Sequence, residues 1–272
     1  MTDRYAVIGH PIAHSQSPRI HAMFAQQTGA DLSYRALLAP LDGFTACVRE
    51  FISAGGRGAN VTVPFKEEAC RLAERLSERA QAAGAVNTLR FDAERIFGDN
   101  TDGAGIVRDI RHNLGRSLVA TKILLLGAGG AARGVILPLL QEKPAQLAIA
   151  NRTADKAANL ARRFAGLSSA FPVLGCGLAE LDGGHFDIVI NATSAGLTDA
   201  SLDIPNAAFG PNCLAYEMVY GKQTPFMEQA RSNGALVSDG LGMLVEQAAI
   251  AFQLWRGIQP DTAPVLKALR GS

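Results

Sequence analysis

Residues 122–140, KILLLGAGGAARGVILPLL, run an apolar strand straight into glycines and then into a helix-length apolar segment. A strand with no polar face has to be covered on both sides, which calls for a parallel sheet between helix layers. Gly127, Gly129 and Ala132 satisfy G-x-G-x-x-G/A at the junction. Gly127 permits the tight turn, Gly129 lets the backbone approach a pyrophosphate, and Ala132 lets the helix pack on the strand. The helix N-terminus adds unpaired N–H groups and the positive end of a dipole. The pattern predicts a dinucleotide-binding unit. The alternative, a glycine-rich turn without a ligand, is disfavoured by the strand, spacing and helix occurring together.

The end of the next strand discriminates between dinucleotides. An NAD site usually carries Asp or Glu there to accept from the ribose 2′-hydroxyl. Here AQLAIA is followed by NRTADK, with Asn151, Arg152 and Thr153 in the acid's place. Arg152 can pair with a 2′-phosphate through two N–H groups, Thr153 can add a hydrogen bond, and Lys156 adds a cation one turn on. Cations at a helix start oppose the dipole, so a nearby anion explains them better than a solvated surface does. NADP is the expected cofactor.

At 272 residues the chain exceeds one ordinary core, and two domains are expected. Strands are predicted at YAVIG, LSYRALL and GANVTV, with helices starting near Ser17 and Asp42. ERAQAAG reads as a helix, and AVNTLRF and RIFGDN as two short strands joined by a polar turn from Asp92 to Glu94. The spacing of Ile106, Val107, Ile110 and Leu114 predicts a helix of about three turns after Asp102. Strands at AQLAIA, FDIVINA and CLAYEMVY continue the alternation, and two C-terminal helices break at QPD. The fold class is therefore α/β with a doubly wound sheet.

Net charge is +1, which gives no basic field for nucleic acid or an anionic membrane. Neither is expected as a partner. Cys47, Cys70, Cys176 and Cys213 lack CxxC spacing, so no zinc site or disulfide framework is expected. They read as small buried apolar residues in a reducing compartment. No signal sequence or membrane-spanning run is seen, and the expected location is the cytoplasm.

Two further stretches carry candidate chemistry. In NVTVPFKEEA, Lys66 begins a helix whose Glu67 and Glu68 suit that end while the lysine does not. Its ammonium form is destabilised there, which suits proton transfer; the alternative is a surface lysine paired with the glutamates. GDNTDG gathers Asp99, Asn100, Thr101 and Asp102 between a strand and a helix, where Thr101 or Asp102 as N-cap is the plain alternative.

PIAHSQSP, GANVTVPFKE, GAVNTL, GDNTDG, GAGGAARG, NRT, INATSAG and DGLGMLVEQAA occur in one order along essentially the whole chain. In this the sequence resembles the NADP-dependent shikimate dehydrogenase family. The resemblance implies reversible reduction of 3-dehydroshikimate to shikimate in aromatic amino-acid biosynthesis. It implies an α/β substrate domain, residues 1–102 completed by helices in 240–272, and a Rossmann-like NADP domain, residues 103–239. The active site would be the cleft between them, closing on substrate. By the same transfer Ser15 and Ser17 bind the substrate carboxylate, and Thr62, Asn87 and Asp102 contact its hydroxyls beside Lys66. Tyr220 and Gln247 complete the pocket. Two hydroxyl donors on one loop suit a carboxylate, although an ST-turn with Ser17 as helix cap and Pro18 at the first helical position fits too.

Lys66 and Asp102 are then the catalytic pair, Lys66 as acid and base and Asp102 orienting it. Gly127, Gly129, Gly130 and Ala131 would face the pyrophosphate, and Asn151, Arg152, Thr153 and Lys156 the adenosine phosphate. Thr193, Ser194, Met218 and Gly240 would lie along the route to the nicotinamide. No metal is expected, and the partner is a small-molecule substrate, with a monomer or homodimer both open. Lys156 stands where many NADP-using members have a second arginine, so charge is kept but the planar fork is lost. The rivals are a quinate/shikimate dehydrogenase using NAD, a methylenetetrahydrofolate dehydrogenase of the same plan, and a non-catalytic NADPH or metabolite sensor. Arg152, the serine pair and an intact Lys66 with Asp102 argue against them.

Overall fold

Apolar strands alternating with amphipathic helices build two α/β units. The computed structural model describes residues 2–92, 95–167, 171–181, 184–198 and 200–271. One unit is Met1–Gly105 with Leu244–Ser272, and the other is Ile106–Met243.

The first unit begins β1 (Asp3–Gly9), α1 (Ser17–Thr28), β2 (Leu32–Leu38), α2 (Phe44–Ser53), β3 (Gly56–Val61) and α3 (Lys66–Leu72). It continues with β4 (Arg75–Leu76), α4 (Glu78–Ala83), β5 (Thr88–Phe91) and β6 (Ile96–Asp99). Its sheet runs β2-β1-β3-β5-β6-β4, with β2, β1 and β3 parallel and β5 antiparallel to both β3 and β6. Ala6, Ile8, Ala59 and Val61 bury one side of this sheet under Phe44, Val48, Phe51 and Phe65. Of the turn predicted between β5 and β6, Asp92 is described and exchanges backbone hydrogen bonds with Arg95; Ala93 and Glu94 lie outside the described residues.

The chain passes to the second unit within α5 (Asp102–Arg108) and returns within α10 (Leu241–Arg256). Between them lie β7 (Lys122–Leu126), α6 (Gly130–Gln141), β8 (Gln146–Asn151), α7 (Ala154–Ala165), β9 (Val173–Gly177) and β10 (Phe186–Asn191). Then come α8 (Ala195–Thr198), β11 (Phe209–Glu217), α9 (Pro225–Ser232) and β12 (Leu236–Ser238), and α11 (Ala263–Arg270) follows α10. The sheet order β12-β11-β10-β7-β8-β9 is parallel throughout. This is the doubly wound arrangement, and β7 at its centre has Ile123 to Leu126 fully buried, as its two-faced apolar run predicts.

Three details depart from the sequence reading. The helix after Asp102 is α-helical only to Arg108 and widens to a π-helical turn over Asp109–Asn113. There the buried Asp109 carboxylate accepts from the Tyr216 hydroxyl at 2.6 Å and from Asn113 Nδ2 at 2.8 Å. Strand β3 stops at Val61, two residues short of the predicted GANVTV. Of the four free cysteines only Cys213 is buried; Cys47, Cys70 and Cys176 are half-buried. Among the described residues no helix is long and apolar enough to cross a membrane, and no cluster of three or more metal-ligating side chains occurs.

Candidate active site

Open α/β sheets bind ligands beyond the carboxyl ends of strands, where neighbouring strands send their connections to opposite sides. In the first unit that point falls between β1, flanked on its other side by β2, and β3. The loop after β1 carries the serine pair. Ser15 N–H donates to Ile12 O at 3.1 Å, and Ser17 N–H donates to Ser15 Oγ at 3.3 Å, an ST-turn leading into α1. Gln16, not Ser17, occupies the cap position, with no side-chain cap bond, so the reading of Ser17 as cap is corrected. The Ser17 side chain is buried and lies against the Tyr34 hydroxyl.

The loop after β3 carries Thr62 and Lys66. Thr62 N–H donates to Ile8 O, and Phe65 N–H to Thr62 O, both at 3.0 Å. This turn delivers Lys66 as the first residue of α3, followed by Glu67 and Glu68. Lys66 Nζ lies 2.6 Å from Asp102 Oδ2, so an opposite charge offsets its unfavourable place at a helix start.

Because β5 and β6 reverse direction in turn, the residue before β5 and those after β6 return to this same end of the sheet. Asn87 lies before β5, and its amide orientation is fixed by a group that can only donate. The Thr101 backbone N–H reaches Asn87 Oδ1 at 2.8 Å. Nδ2 therefore faces Asp102 Oδ1 at 2.8 Å and Gln247 Oε1 at 3.3 Å. Each carboxylate oxygen of Asp102 thus has its own donor, Asn87 on one and Lys66 on the other. Thr101 Oγ1 bonds Gln247 Oε1 at 3.2 Å, and Gln247 Nε2 donates to Leu244 O at 3.0 Å. At the start of α5, Asn100 Oδ1 accepts the Asp102 N–H at 3.2 Å.

Asp99 braces this loop from behind. It accepts from Arg79 Nε and Nη2 at 2.7 and 2.6 Å, from Ser77 Oγ at 2.5 Å and from Asn100 N–H at 2.7 Å. Burial alone would raise its carboxyl, but the Arg79 guanidinium, the hydroxyl and the N–H outweigh it and hold it below the usual carboxylate range.

In the second unit the strand order reverses between β7 and β10. Gly127 follows β7 with φ +109°, and a Cβ there would meet Ala192 O at 3.1 Å, so both the turn and the close approach require glycine. Gly129 caps α6, Gly130 and Ala131 open it, and space around the Gly129 Cα is open. Ala132 is fully buried against the sheet. Asn151 ends β8, and its Nδ2 donates to Thr153 O at 3.0 Å. Arg152, Thr153 and Lys156 are exposed at the start of α7.

Thr193, after β10, is fixed by Asn191, whose Oδ1 accepts its N–H at 3.1 Å and its hydroxyl at 2.7 Å; Ser194, which follows, is exposed. Met218 and Tyr220 are half-buried in the loop after β11. A Cβ on Gly240 would lie 2.1 Å from Met218 O, so no other residue fits there. Tyr220, assigned to the substrate pocket by resemblance, thus sits on the second unit, apart in the chain from the other substrate candidates.

Two buried groups at this end were missed. Glu217 Oε2 accepts from Asn191 Nδ2 at 2.7 Å and Thr224 Oγ1 at 2.9 Å, and Oε1 from Val219 N–H at 3.1 Å. It fixes the loops bearing Thr193 and Met218. The available signal was a polar residue ending an apolar strand, Asn191 in FDIVIN and Glu217 in CLAYE.

Comparison with known proteins follows the same division. Residues 7–89 match the shikimate dehydrogenase substrate binding domain, residues 109–198 the shikimate / quinate 5-dehydrogenase model, and residues 240–270 the shikimate 5'-dehydrogenase C-terminal domain. The chain is 64% identical to a shikimate dehydrogenase (NADP(+)) of Dechloromonas aromatica over 99% of this chain and 98% of that one. Among solved structures, an Ael1 enzyme from Pseudomonas putida is 50% identical with a TM-score of 0.93, covering 98% of each chain. Shikimate 5-dehydrogenase from Thermus thermophilus, in complex with NADP(H) and shikimate, is 35% identical with a TM-score of 0.87 over 99% of each chain.

Proposed function

This chain belongs to the shikimate dehydrogenase family, and from that premise we propose that Lys66 and Asp102 are its catalytic pair. The enzyme is an NADP-dependent oxidoreductase interconverting 3-dehydroshikimate and shikimate. The observation that carries the pair is the 2.6 Å contact of Lys66 Nζ with a carboxylate whose other oxygen is held by Asn87.

The cofactor fits the donors present. α6 offers the N–H groups of its first turn beside the open space at Gly129, and β8 ends without a carboxylate. Arg152, Thr153 and Lys156 offer two cations and a hydroxyl for a 2′-phosphate. When bound, NADPH supplies the hydride.

On the protein side, Ser15 and Ser17 hold the substrate carboxylate, Thr62, Asn87 and Asp102 hold its hydroxyls, and Gln247, bonded to Asn87 and Thr101, completes the pocket on the first unit. Lys66 places an ammonium at the C3 oxygen, where negative charge develops as the ketone is reduced. It donates a proton to that oxygen, and in the reverse direction the neutral amine accepts one. Asp102 keeps the ammonium aimed, because a carboxylate with both oxygens engaged cannot rotate freely.

The testing assay follows nicotinamide absorbance with shikimate or quinate and NADP or NAD in all four combinations. Reduction with shikimate and NADP far exceeding the others is expected. Comparable rates with quinate and NAD would overturn the narrow specificity, and no reduction in any combination would favour a sensor. Arg152→Ala is expected to raise KM for NADPH roughly tenfold to hundredfold by removing charged hydrogen bonds, with KM for shikimate unchanged. Initial rates with NADPH and NADH measure this; an unaltered preference between them would remove Arg152 from phosphate recognition.

A further inference from the structure

Behind the proposed catalytic pair and Asn87 lie three polar side chains, Tyr34, Asn60 and Thr88, to which the proposed mechanism gives no part. Tyr34 on β2 donates from its hydroxyl to Asn60 Oδ1 at 2.7 Å. Asn60, buried on β3, donates through Nδ2 to Asn87 O at 3.2 Å and to Thr88 Oγ1 at 3.0 Å. Thr88 Oγ1 in turn donates to Asn87 Oδ1 at 2.9 Å. Asn87 then holds Asp102, and Asp102 holds Lys66.

The bond directions are fixed by groups that can only accept or only donate. The Asn87 backbone carbonyl can only accept, so the Asn60 amide nitrogen must face Asn87 and Thr88. Asn60 Oδ1 is left to take the Tyr34 hydroxyl proton, while the Thr101 N–H sets Asn87. A flipped Asn60 would set two acceptors against each other inside the protein, which is costly for buried groups. The Tyr34 ring is itself clamped, stacked on His21 with centroids 4.1 Å apart and planes within 5°. Trp255 and Phe252 of α10 close the other sides of His21.

We propose that Tyr34, held flat by His21, is a positioning residue that fixes Asp102 and Lys66 through Asn60, Thr88 and Asn87. The inference rests on the assignment of Lys66 and Asp102 as the catalytic pair. It gives Tyr34, an ordinary aromatic on a half-exposed edge strand, a part in turnover without contact to substrate or cofactor. Residues in one hydrogen-bond network act non-additively, and that is the property to measure.

The test is a double-mutant cycle of Tyr34→Phe with Asp102→Asn, reading kcat, KM for shikimate and KM for NADP. Tyr34→Phe keeps the ring and its stack, so the thermal midpoint and the emission of Trp255, the single tryptophan, serve as the check that packing is retained. Tyr34→Phe is expected to lower kcat roughly tenfold, the scale of one lost hydrogen bond, with KM for NADP unchanged. In the Asp102→Asn background the same change is expected to alter kcat less than about twofold. Unchanged kcat in Tyr34→Phe, a loss confined to KM for shikimate and so traceable to Ser17, or a loss that adds in full to that of Asp102→Asn would overturn the relay alone. Full turnover in Asp102→Asn would overturn the catalytic pair and the relay with it.

Discussion

Lys66→Ala is expected to lower kcat by about 10²- to 10⁴-fold, the range contributed by a positioned general acid or base. KM for shikimate should change little, because the serine pair, Thr62 and Asn87, the groups proposed to hold the substrate, are untouched by the substitution. The variant also leaves Asp102 with Asn87 as its remaining donor among these side chains, in a site where Asp102 is only 6% exposed. Some loss of stability therefore accompanies the loss of rate. Lys66→Arg separates the two effects. It keeps a cation beside Asp102, but a guanidinium does not give up its proton in the working range. Stability should return while kcat stays low. Stopped-flow single turnovers with saturating NADPH would measure both variants, and a near-wild-type rate in Lys66→Ala would remove the lysine from the mechanism.

What could be read from the residues followed from burial on two faces or from local spacing. The central strand β7 and the turn at Gly127 were legible because a strand covered on both sides has no polar position and a φ of +109° leaves little choice but glycine. The edge strands β9 and β12 were not. Val173–Gly177 is mostly half-exposed and Leu236–Ser238 is three residues long, so neither shows alternation or a continuous apolar run. The π-helical turn at Asp109–Asn113 escaped as well, since a spacing of three and four looks the same with one residue inserted, and its buried Asp109 answers to Tyr216, far along the chain. In the site, Ser15, Ser17, Lys66 and Asp102 stood out as polar residues at strand-to-helix junctions. The orientation of Asn87 did not, because it depends on the Thr101 N–H across a loop. Tyr34 and Asn60 read as ordinary strand residues for the same reason: their partners come from neighbouring strands, and sequence carries no record of register.

His21→Phe is expected to flatten the acid side of the stability profile. Burial pushes the His21 imidazole down to about 3 from 6.5, with the nearby Asn60 side chain opposing it in part; among the described residues no group lies in hydrogen-bonding geometry with either ring nitrogen. The groups around it are Phe24 of α1, Tyr34 of β2, Asn60 of β3 and Phe252 and Trp255 of α10, none of them a cation or a carboxylate. Between 6.5 and about 3 the unfolded chain binds a proton at this position and the folded chain does not. Stability therefore falls as pH drops through that window, by about 1.4 kcal/mol per pH unit for this one group. Asp99 acts differently. Its lowered folded pKa gives stability that is present above the ordinary carboxylate value and lost only as pH falls through the folded value. It contributes equally to both proteins and cancels in the comparison. Urea unfolding of the wild type and His21→Phe from neutral pH down to about pH 4.5 should give curves that diverge by roughly 3 kcal/mol at the acid end. At neutral pH the phenyl ring should be at least as stable, since it keeps the stack on Tyr34 and removes nitrogens that lack partners. Parallel curves would mean that the imidazole protonates without unfolding, and that water or a moved side chain reaches it inside the cluster.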